Sequence, residues 1–165
     1  MKTLLAVNGA MGVGESAVCR VLLEHLQPAA WVDGDWGWMI SPFEVTDENL
    51  ALVHRNVRQL LLGYLNHPKI ETVILSWVLH RPGMLEDLLR PLVAPDYRVR
   101  QITLILTPAE LLQRLERDIA AGIRAPDVKD RALVRLDECS RLDTPQVHAG
   151  RPIPEIVAEI VELIN

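Results

Sequence analysis

Residues 9–16 of the chain read Gly9-Ala10-Met11-Gly12-Val13-Gly14-Glu15-Ser16 and directly follow the apolar run Leu4-Leu5-Ala6-Val7. Behind them, Val18 and Leu22 stand at helical spacing. A strand, a loop with three glycines and a helix are therefore expected in direct succession. Glycines give such a loop the backbone freedom to wrap its amide groups around an anion, with no side chains in the way.

The spacing of this loop matches the Walker A pattern at every required position except one. The pattern has Gly, four residues, Gly, Lys and then Ser or Thr, placed between a strand and a helix. Gly9, Gly14 and Ser16 fit it, but Glu15 stands in place of the lysine. A glycine-rich turn without a ligand is the simpler alternative. The combination of strand, spaced glycines and helix favours a phosphate-binding loop, with contacts expected from Gly9 to Ala17.

Composition and charge narrow the class of protein. A chain of 165 residues with 49% hydrophobic residues suits one domain with its own core. Cys19 and Cys139 form no Cys-x-x-Cys pair, so neither a zinc site nor a disulfide framework is indicated. The net charge of -5 argues against nucleic-acid polymers as partners. The absence of a long apolar run or a cleavable leader predicts a cytoplasmic protein without a membrane span.

Strands and helices are predicted to alternate along the chain. The predicted strands are 3–8, 29–32, 71–77, 100–106 and 140–143. The predicted helices are 15–26, 47–66, 84–92, 108 to about 122, a charged segment restarting near 125–127, and a last helix after Pro152. This alternation predicts a parallel sheet with helices on both faces. Ligands of such folds bind beyond the carboxyl ends of the strands.

Three stretches follow strands and so fall on that one edge: the glycine loop, Asp33 to Trp38, and Trp77 to Arg81. Asp33 and Asp35 are candidates for chemistry there. An Asp-Gly turn whose carboxylates bond their own backbone is the simpler alternative. The predicted position on the cleft edge favours a functional role for the two aspartates.

Candidate acceptor contacts come from aromatic and basic residues near this edge. The aromatic candidates are concentrated in two neighbouring loops and would form a wall against a ring or sugar, or pack beneath the loops: Trp36, Trp38 and Trp77. Arg55 and Arg58 lie three residues apart on a predicted helix, where they form either a solvated face or an acceptor-binding face. Arg81, just beyond a strand end, is the third basic candidate.

With these residues in place, the chain resembles the P-loop small-molecule kinases, in the group with adenylylsulfate, gluconate and shikimate kinases and chloramphenicol phosphotransferase. The resemblance covers nearly the full length. It rests on the glycine loop, Asp33-Gly34-Asp35, the arginines near 117–124 and Leu142-Asp143-Thr144. It implies a three-layer α/β fold with a five-stranded parallel sheet in the order 2-3-1-4-5. It also implies one domain over 1–165, with a short lid at about 117–135.

The resemblance also implies ATP as the phosphate donor and Mg²⁺ as the metal. Asp35, or Asp33 as the less favoured choice, would accept the proton of an acceptor hydroxyl or hold that hydroxyl in line. Ser16 would supply an oxygen ligand to the metal. Arg117 and Arg124 would be the lid charges. The third predicted strand has no acid at its end, so metal binding is expected to depend on Ser16, water and the aspartates.

Glu15 is the main departure from this pattern, because the family's lysine neutralises the outer phosphates during transfer. A unit-charge pair at about 4 Å is worth about 4 kcal/mol near a protein surface, so reversing its sign is costly. Glu15 would either turn to solvent while Arg20 or Arg124 substitutes, or be protonated or paired with metal. The sequence thus predicts a kinase for a small-molecule or nucleotide-like acceptor with an impaired donor site. A nucleotide-binding pseudokinase or an ATPase-type switch is the alternative.

Overall fold

A single parallel sheet organises the computed structural model, which describes residues 1–94 and 96–164. Its strands are β1 (Lys2–Gly9), β2 (Ala29–Asp33), β3 (Thr72–Trp77), β4 (Tyr97–Ile105) and β5 (Gln146–His148). Neighbouring strands pair in parallel in the order β2-β3-β1-β4-β5. The predicted parallel sheet and its strand order are confirmed.

Six α-helices connect or follow these strands. They are α1 (Glu15–His25), α2 (Asp47–Asn66), α3 (Met84–Leu89), α4 (Pro108–Ala120), α5 (Val128–Ser140) and α6 (Ile153–Ile164). A short 3₁₀ helix, Gly34–Trp38, follows β2. The predicted start of α4 is confirmed, since Thr107 and Glu110 cap it reciprocally. Within the described ranges, no helix combines the length and apolar character that a membrane span requires.

The central strand β1 explains why helices cover both faces of the sheet. Leu5 and Val7 belong to one buried cluster, which also holds the apolar faces of α1, α4, α5 and α6. Leu4 and Ala6 belong to the other, with α2 and α3. Successive side chains of a strand point to opposite faces, so a continuous apolar run requires cover on both. The result is the predicted three-layer architecture.

The predicted fifth strand at residues 140–143 is wrong. Ser140 is the last residue of α5, and the following residues form a turn in which the Leu142 amide donates to the Cys139 carbonyl. The strand lies later, at Gln146–His148, where only Val147 is buried. Three residues with one buried side chain carry too little periodicity to mark a strand. Pairing with β4, from Thr103 to Ile105, places it instead.

Two boundaries differ from the prediction by three residues. Helix α3 ends at Leu89 rather than at residue 92, and β4 begins at Tyr97 rather than at residue 100. The early part of β4 includes charged, partly exposed residues, which concealed it in the sequence. Its backbone is nevertheless paired with β1 from Lys2↔Tyr97 onward. Tertiary pairing therefore extends this strand beyond its apolar half.

Candidate active site

The loop between β1 and α1 is tightly wound. Gly12 and Gly14 have φ angles of +90° and +106°, a region that residues with side chains rarely adopt. A β-carbon on Gly12 would also lie 2.7 Å from Cδ2 of Leu115, which is fully buried. Gly9 is constrained by space, since a β-carbon there would lie 2.4 Å from Cγ1 of Val13. Larger residues do not fit at these three positions.

Helix α1 begins immediately after this loop. Gly14 stands at its amino end without a side-chain cap, and its carbonyl accepts a hydrogen bond from the Val18 amide at 3.1 Å. The first amides of a helix have no partner within it. Ser16 and Ala17, in this first turn, are exposed. Free amides and the helix dipole make this end suitable for binding an anion.

Glu15 folds back over the loop. Its side chain is half-buried, and Oε1 lies 3.3 Å from the point where a β-carbon on Gly9 would be. Burial raises the pKa of Glu15 to about 7, against the effect of its own backbone amide. The carboxyls of Asp35 and Asp33 raise it further, and Arg124 lowers it. The structure contradicts the outward rotation considered from the sequence, and this environment favours protonation.

Asp33 connects the end of β2 to the first turn of α1. Its Oδ2 accepts a hydrogen bond from the Ser16 hydroxyl at 3.0 Å, and its Oδ1 accepts one from the Asp35 amide at 3.0 Å. Asp33 is buried, with 8% of its surface exposed. The Asp-Gly turn therefore makes the local backbone bond expected of such turns and also contacts the loop serine. This hydroxyl and carboxylate are hard oxygen donors of the kind that Mg²⁺ prefers.

Asp35 is the more accessible of the two aspartates. It is exposed, yet desolvation by the surrounding protein raises the pKa of its carboxyl, as does Asp33, while Arg124 lowers it. Arg124 Nε also pairs with Oδ2 of Asp118 at 3.0 Å. A carboxylate with a raised pKa is a better proton acceptor than an ordinary aspartate.

A first cavity, of about 530 Å³, lies at the amino end of α1. We call it the donor cavity. The loop and first turn of α1, four arginines and the residues around the start of α6 line it: Gly12–Val18, Arg114, Arg117, Asp118, Arg124, Ala149, Arg151, Ile153 and Ile156. Arginines and helix amides together are the groups that proteins use to hold phosphates.

A second cavity, of about 680 Å³, has Asp35 in its lining. We call it the acceptor cavity, and its lining is Met11, Asp35, Trp38, Phe43, Val45, Val78, His80, Asp130, Arg131, Val134 and Arg135. A narrow cleft of about 80 Å³, the junction, shares residues with both cavities. Its charged or hydroxyl-bearing residues are Glu15, Ser16, Asp33, Asp35, Ser76 and Arg124. Two ligands, one in each cavity, would meet there.

Solved structures resemble the fold of this chain, whereas no protein-family model and no curated protein sequence matches it. A gluconokinase from Sinorhizobium meliloti 1021 has TM-score 0.67 and 19% identity, covering 98% of this chain and 95% of its own. The tunicamycin resistance protein of Deinococcus radiodurans has TM-score 0.70 and 18% identity, with coverages of 100% and 96%. The Mycobacterium tuberculosis APS kinase, in complex with AMPPNP and APS, has TM-score 0.66 and 15% identity, with coverages of 99% and 97%. The chain has the fold of the P-loop small-molecule kinases.

Within this kinase fold, the three predicted tryptophans occupy different places. Trp38 lines the acceptor cavity and meets Phe43 edge-on, with ring centroids 5.8 Å apart. Trp77 lines the junction but is packed against Gly34, where a β-carbon would lie 2.2 Å from its Cδ2. Trp36 is 52% exposed and is outside the linings of both cavities. Trp77 therefore packs beneath the loops, whereas an acceptor contact by Trp38 stays a prediction.

The basic acceptor candidates lie away from the junction. Nε of Arg58 donates to the Leu88 carbonyl at 2.7 Å and so joins α2 to α3. Arg55 is exposed on α2. Arg81 is exposed and lines a separate cleft together with Arg141. The structure brings none of the three predicted arginines into the lining of the donor cavity, the acceptor cavity or the junction.

The predicted lid at 117–135 consists of the last turn of α4, a turn at 121–127 and the first half of α5. Arg117 is exposed and lines the donor cavity, with its Nε donating to the Gln113 carbonyl at 3.4 Å. Arg124 lines both the donor cavity and the junction. The structure therefore places Arg124, but not Arg117, next to the carboxylates.

Arg114, which is absent from the residues predicted from the sequence, holds the loop in place. Its Nη1 donates to the Val13 carbonyl at 2.8 Å and its Nη2 to the Ala149 carbonyl at 2.6 Å. Both partners are distant in sequence, so nothing separates Arg114 from the other charged residues of α4 before folding. Phe43, Val45 and Val134 were missed for a similar reason, because separate segments of chain bring them to the acceptor cavity.

Proposed function

We propose that this chain is an ATP-dependent phosphotransferase that acts on a hydroxyl of a small-molecule or nucleotide-like acceptor, and that Glu15 weakens its donor site. The junction carries this proposal, because the donor and acceptor cavities share residues with it. Phosphoryl transfer requires the donor and acceptor oxygens to approach one phosphorus in line. The shared fold of solved proteins described as kinases supports the same interpretation.

In the proposed reaction, the acceptor hydroxyl oxygen attacks the γ-phosphorus of ATP. The bond from that phosphorus to the β–γ bridging oxygen breaks, and ADP leaves with the electron pair. The hydroxyl proton passes to the Asp35 carboxylate, which reaches the acceptor cavity and the junction alike. Asp33 is less suited to this role because it is buried and already accepts two hydrogen bonds. Proton transfer to a positioned base contributes roughly 10²- to 10⁴-fold to rate.

Magnesium fits the oxygen donors near the loop. In residues 1–94 and 96–164, no group of three or more His, Cys, Asp and Glu side chains is arranged as a metal site. Mg²⁺ usually keeps several waters and takes one or two protein oxygens beside substrate phosphates. We propose that Ser16 and Asp33 hold it, directly or through water. Bound there with ATP, the metal would supply positive charge against the outer phosphates.

The carboxyl of Glu15 would oppose the binding of ATP phosphates in the donor cavity. It is half-buried and lies over the loop, close to Gly9, so an ionised Glu15 would repel the phosphates that the loop amides attract. The cations of this region are Arg114, Arg117, Arg124 and Arg151, all in the lining of the donor cavity. We propose that they compensate only in part, because Arg114 is held by backbone carbonyls and Arg124 by Asp118.

A nucleotide-binding pseudokinase, or an ATPase-type switch, is the second candidate function. Glu15 favours this second candidate as well, because its carboxyl lies close to Gly9 where the Walker A pattern has a phosphate-binding lysine. Such a protein would bind nucleotide, or bind and hydrolyse it, without transferring phosphate to an acceptor.

We propose the cytoplasm as the location of this activity. Cys19 and Cys139 are both free and buried, which suits a compartment that keeps thiols reduced. Nucleic-acid polymers and membranes are not part of the proposal, in line with the net charge of -5.

ATP and Mg²⁺ titrated calorimetrically into the native chain and into Glu15→Lys test the donor site. We expect Glu15→Lys to bind ATP about 100-fold more tightly, which corresponds to about 3 kcal/mol, and to turn it over. The matched control is Glu24→Lys, which makes the same charge change at an exposed position of α1 and should alter affinity less than about 3-fold.

The outcomes separate the candidates. Tight ATP binding and turnover in Glu15→Lys support a kinase with a weakened donor site. ATP binding in both proteins, with no acceptor phosphorylated by either, favours the pseudokinase or switch. The absence of ATP binding in both would refute both nucleotide hypotheses.

A further inference from the structure

Six of the eleven residues that line the acceptor cavity are apolar. Residues from the β1–α1 loop, the segment after β2, the end of β3 and α5 supply this surface: Met11, Trp38, Phe43, Val45, Val78 and Val134. Ligand pockets of this kind bury apolar parts of a molecule and use a few polar groups to orient it.

Several of these apolar side chains are exposed in the absence of a ligand. Phe43 is 65% exposed, Val45 is 69% exposed and Val134 is 56% exposed. Two of them come from the segment between the 3₁₀ helix and α2, and the third comes from α5. Exposed apolar residues gathered from separate segments around one cavity mark a binding surface more strongly than scattered ones do. The edge-on contact of Trp38 with Phe43 gives this surface a formed aromatic corner.

The charges at the cavity are already paired or negative. Arg135 pairs with Glu138 at 2.6 Å, and Arg131 lies 3.5 Å from Asp127. Asp35 and Asp130 add negative charge to the lining. Desolvation and the nearby Arg135 lower the pKa of His80, which keeps its ring neutral near pH 7. The lining therefore offers an anionic ligand little uncompensated positive charge.

We infer that the acceptor is an uncharged molecule with an apolar, ring-bearing body and a hydroxyl at its polar end. The body would lie against Phe43, Val45 and Val134, and the hydroxyl would reach Asp35, which borders the junction. This inference rests on the proposed function and narrows its acceptor, since it disfavours sugar acids and nucleotides in the second cavity. It concerns binding alone, so it is testable without phosphotransfer.

Two matched probes test this inference: 3-phenyl-1,2-propanediol, which is neutral, and 3-phenyllactate, which has the same ring and carbon chain but carries a carboxylate. Binding of each to the native chain would be measured by saturation-transfer NMR titration without nucleotide. We expect the diol to bind at least 10-fold more tightly than the carboxylate. Propane-1,2-diol, which lacks the ring, should not compete with it.

A pair of variants locates the binding. Val134→Ser should weaken diol binding at least 5-fold, whereas Leu60→Ser should leave it unchanged. Leu60 is a helical residue of similar exposure, at 44%, outside the lining of the acceptor cavity. Thermal unfolding followed by circular dichroism would verify that both variants fold. An equal effect of the two substitutions would overturn the assignment to this cavity.

The results of the probe titrations can be told apart from a failure of the proposed kinase function, because ATP binding is measured separately. Equal or tighter binding of 3-phenyllactate, or no saturable binding of the diol, overturns the inference while the ATP titration stands on its own. Diol binding that depends on Val134, in a chain that binds no ATP, supports the inference about the cavity and rejects the kinase function.

Discussion

The two cavities that meet at the junction are built in different ways. The donor cavity is formed by main-chain groups and arginines: a loop with two left-handed glycines, the first turn of α1, and four guanidinium groups. The acceptor cavity is formed mainly by side chains from segments far apart in sequence. The first depends on backbone geometry, and the second depends on the choice of surface residues.

This difference indicates how each side would respond to substitution. A backbone-built site tolerates few changes, since the loop conformation itself binds the ligand. A side-chain-built site is changed by substitutions that leave the fold intact, because exposed residues contribute little to stability. Glu15 is the exception in the donor cavity, because its side chain lies over a loop that is otherwise formed by backbone groups. A substitution of Glu15 should therefore change this cavity without changing the loop conformation.

The largest expected effect is that of Asp35→Asn, which should impair transfer to the acceptor without impairing ATP binding. In a Glu15→Lys background, Asp35→Asn should reduce acceptor-dependent transfer about 1000-fold, about 4 kcal/mol, because the hydroxyl loses its proton acceptor. ATP affinity should change by less than about 3-fold, since Asp35 lines the acceptor cavity and the junction but not the donor cavity. Steady-state kinetics and calorimetry measure the two quantities separately.

Asp143→Asn, in the same background, is the control for this prediction. Asp143 is exposed and lies outside both cavities and the junction, so transfer should remain near that of the parent. Full transfer activity in the Asp35→Asn protein would reject Asp35 as the proton acceptor. A parallel loss of ATP affinity would show that the two cavities are not functionally separate.

A second, smaller effect tests whether the donor side depends on its backbone. Gly12→Ala should lower the free energy of unfolding by about 3 kcal/mol, because alanine is strained at positive φ and its β-carbon would crowd buried Leu115. Gly63→Ala is the matched control, since Gly63 lies in α2 with nothing within 4 Å of an added β-carbon. That change should stabilise by about 0.5 to 1 kcal/mol. Urea unfolding measures both, and equal effects would refute the backbone argument.

The difference between a donor cavity built from consecutive residues and an acceptor cavity built from distant ones explains what could be predicted from the sequence. The donor loop was predictable because β1, its glycines and α1 are consecutive, and glycine spacing is a local signal. The alternation of elements predicted a parallel sheet, and the resemblance implied its strand order; both are confirmed. The fifth strand was not predictable, since β5 has three residues with one buried side chain and is positioned by pairing with β4.

The acceptor side was harder to predict for a physical reason. The bond from Ser16 to Asp33 joins residues from two elements, so the contact that occupies Asp33 could not be read from the Asp-Gly turn alone. Phe43 and Val134 come together only after α5 has packed on the sheet. Arg58 had two interpretations from helical spacing, and its bond to the Leu88 carbonyl emerged only from the packing of α2 against α3. Spacing along one element does not reveal contacts between elements.

The smallest expected effect is the change of stability with pH that Glu15 causes. Its pKa rises from an ordinary 4.5 to about 7 in the folded chain, so the folded state retains a proton that the unfolded state releases. Stability from this group is therefore present below pH 4.5, falls as the pH rises towards 7, and is lost above it. Glu15→Gln keeps the size of the side chain and removes this titration. Full linkage would make it more stable than the native chain by about 3 kcal/mol at pH 8. Because the Glu15 side chain is half-buried and partly screened by solvent, we expect about 2 kcal/mol at pH 8 and a nearly equal stability at pH 4.5.

Urea unfolding of the native chain and of Glu15→Gln at several pH values between 4.5 and 8 would measure this difference. Glu24→Gln, on the exposed face of α1, should change stability by less than about 0.5 kcal/mol throughout. A difference between Glu15→Gln and the native chain that does not grow with pH would show that Glu15 is ionised in the folded state at little cost. The donor cavity would then accommodate a carboxylate beside its arginines, and Glu15 would not weaken the site in the way that we propose.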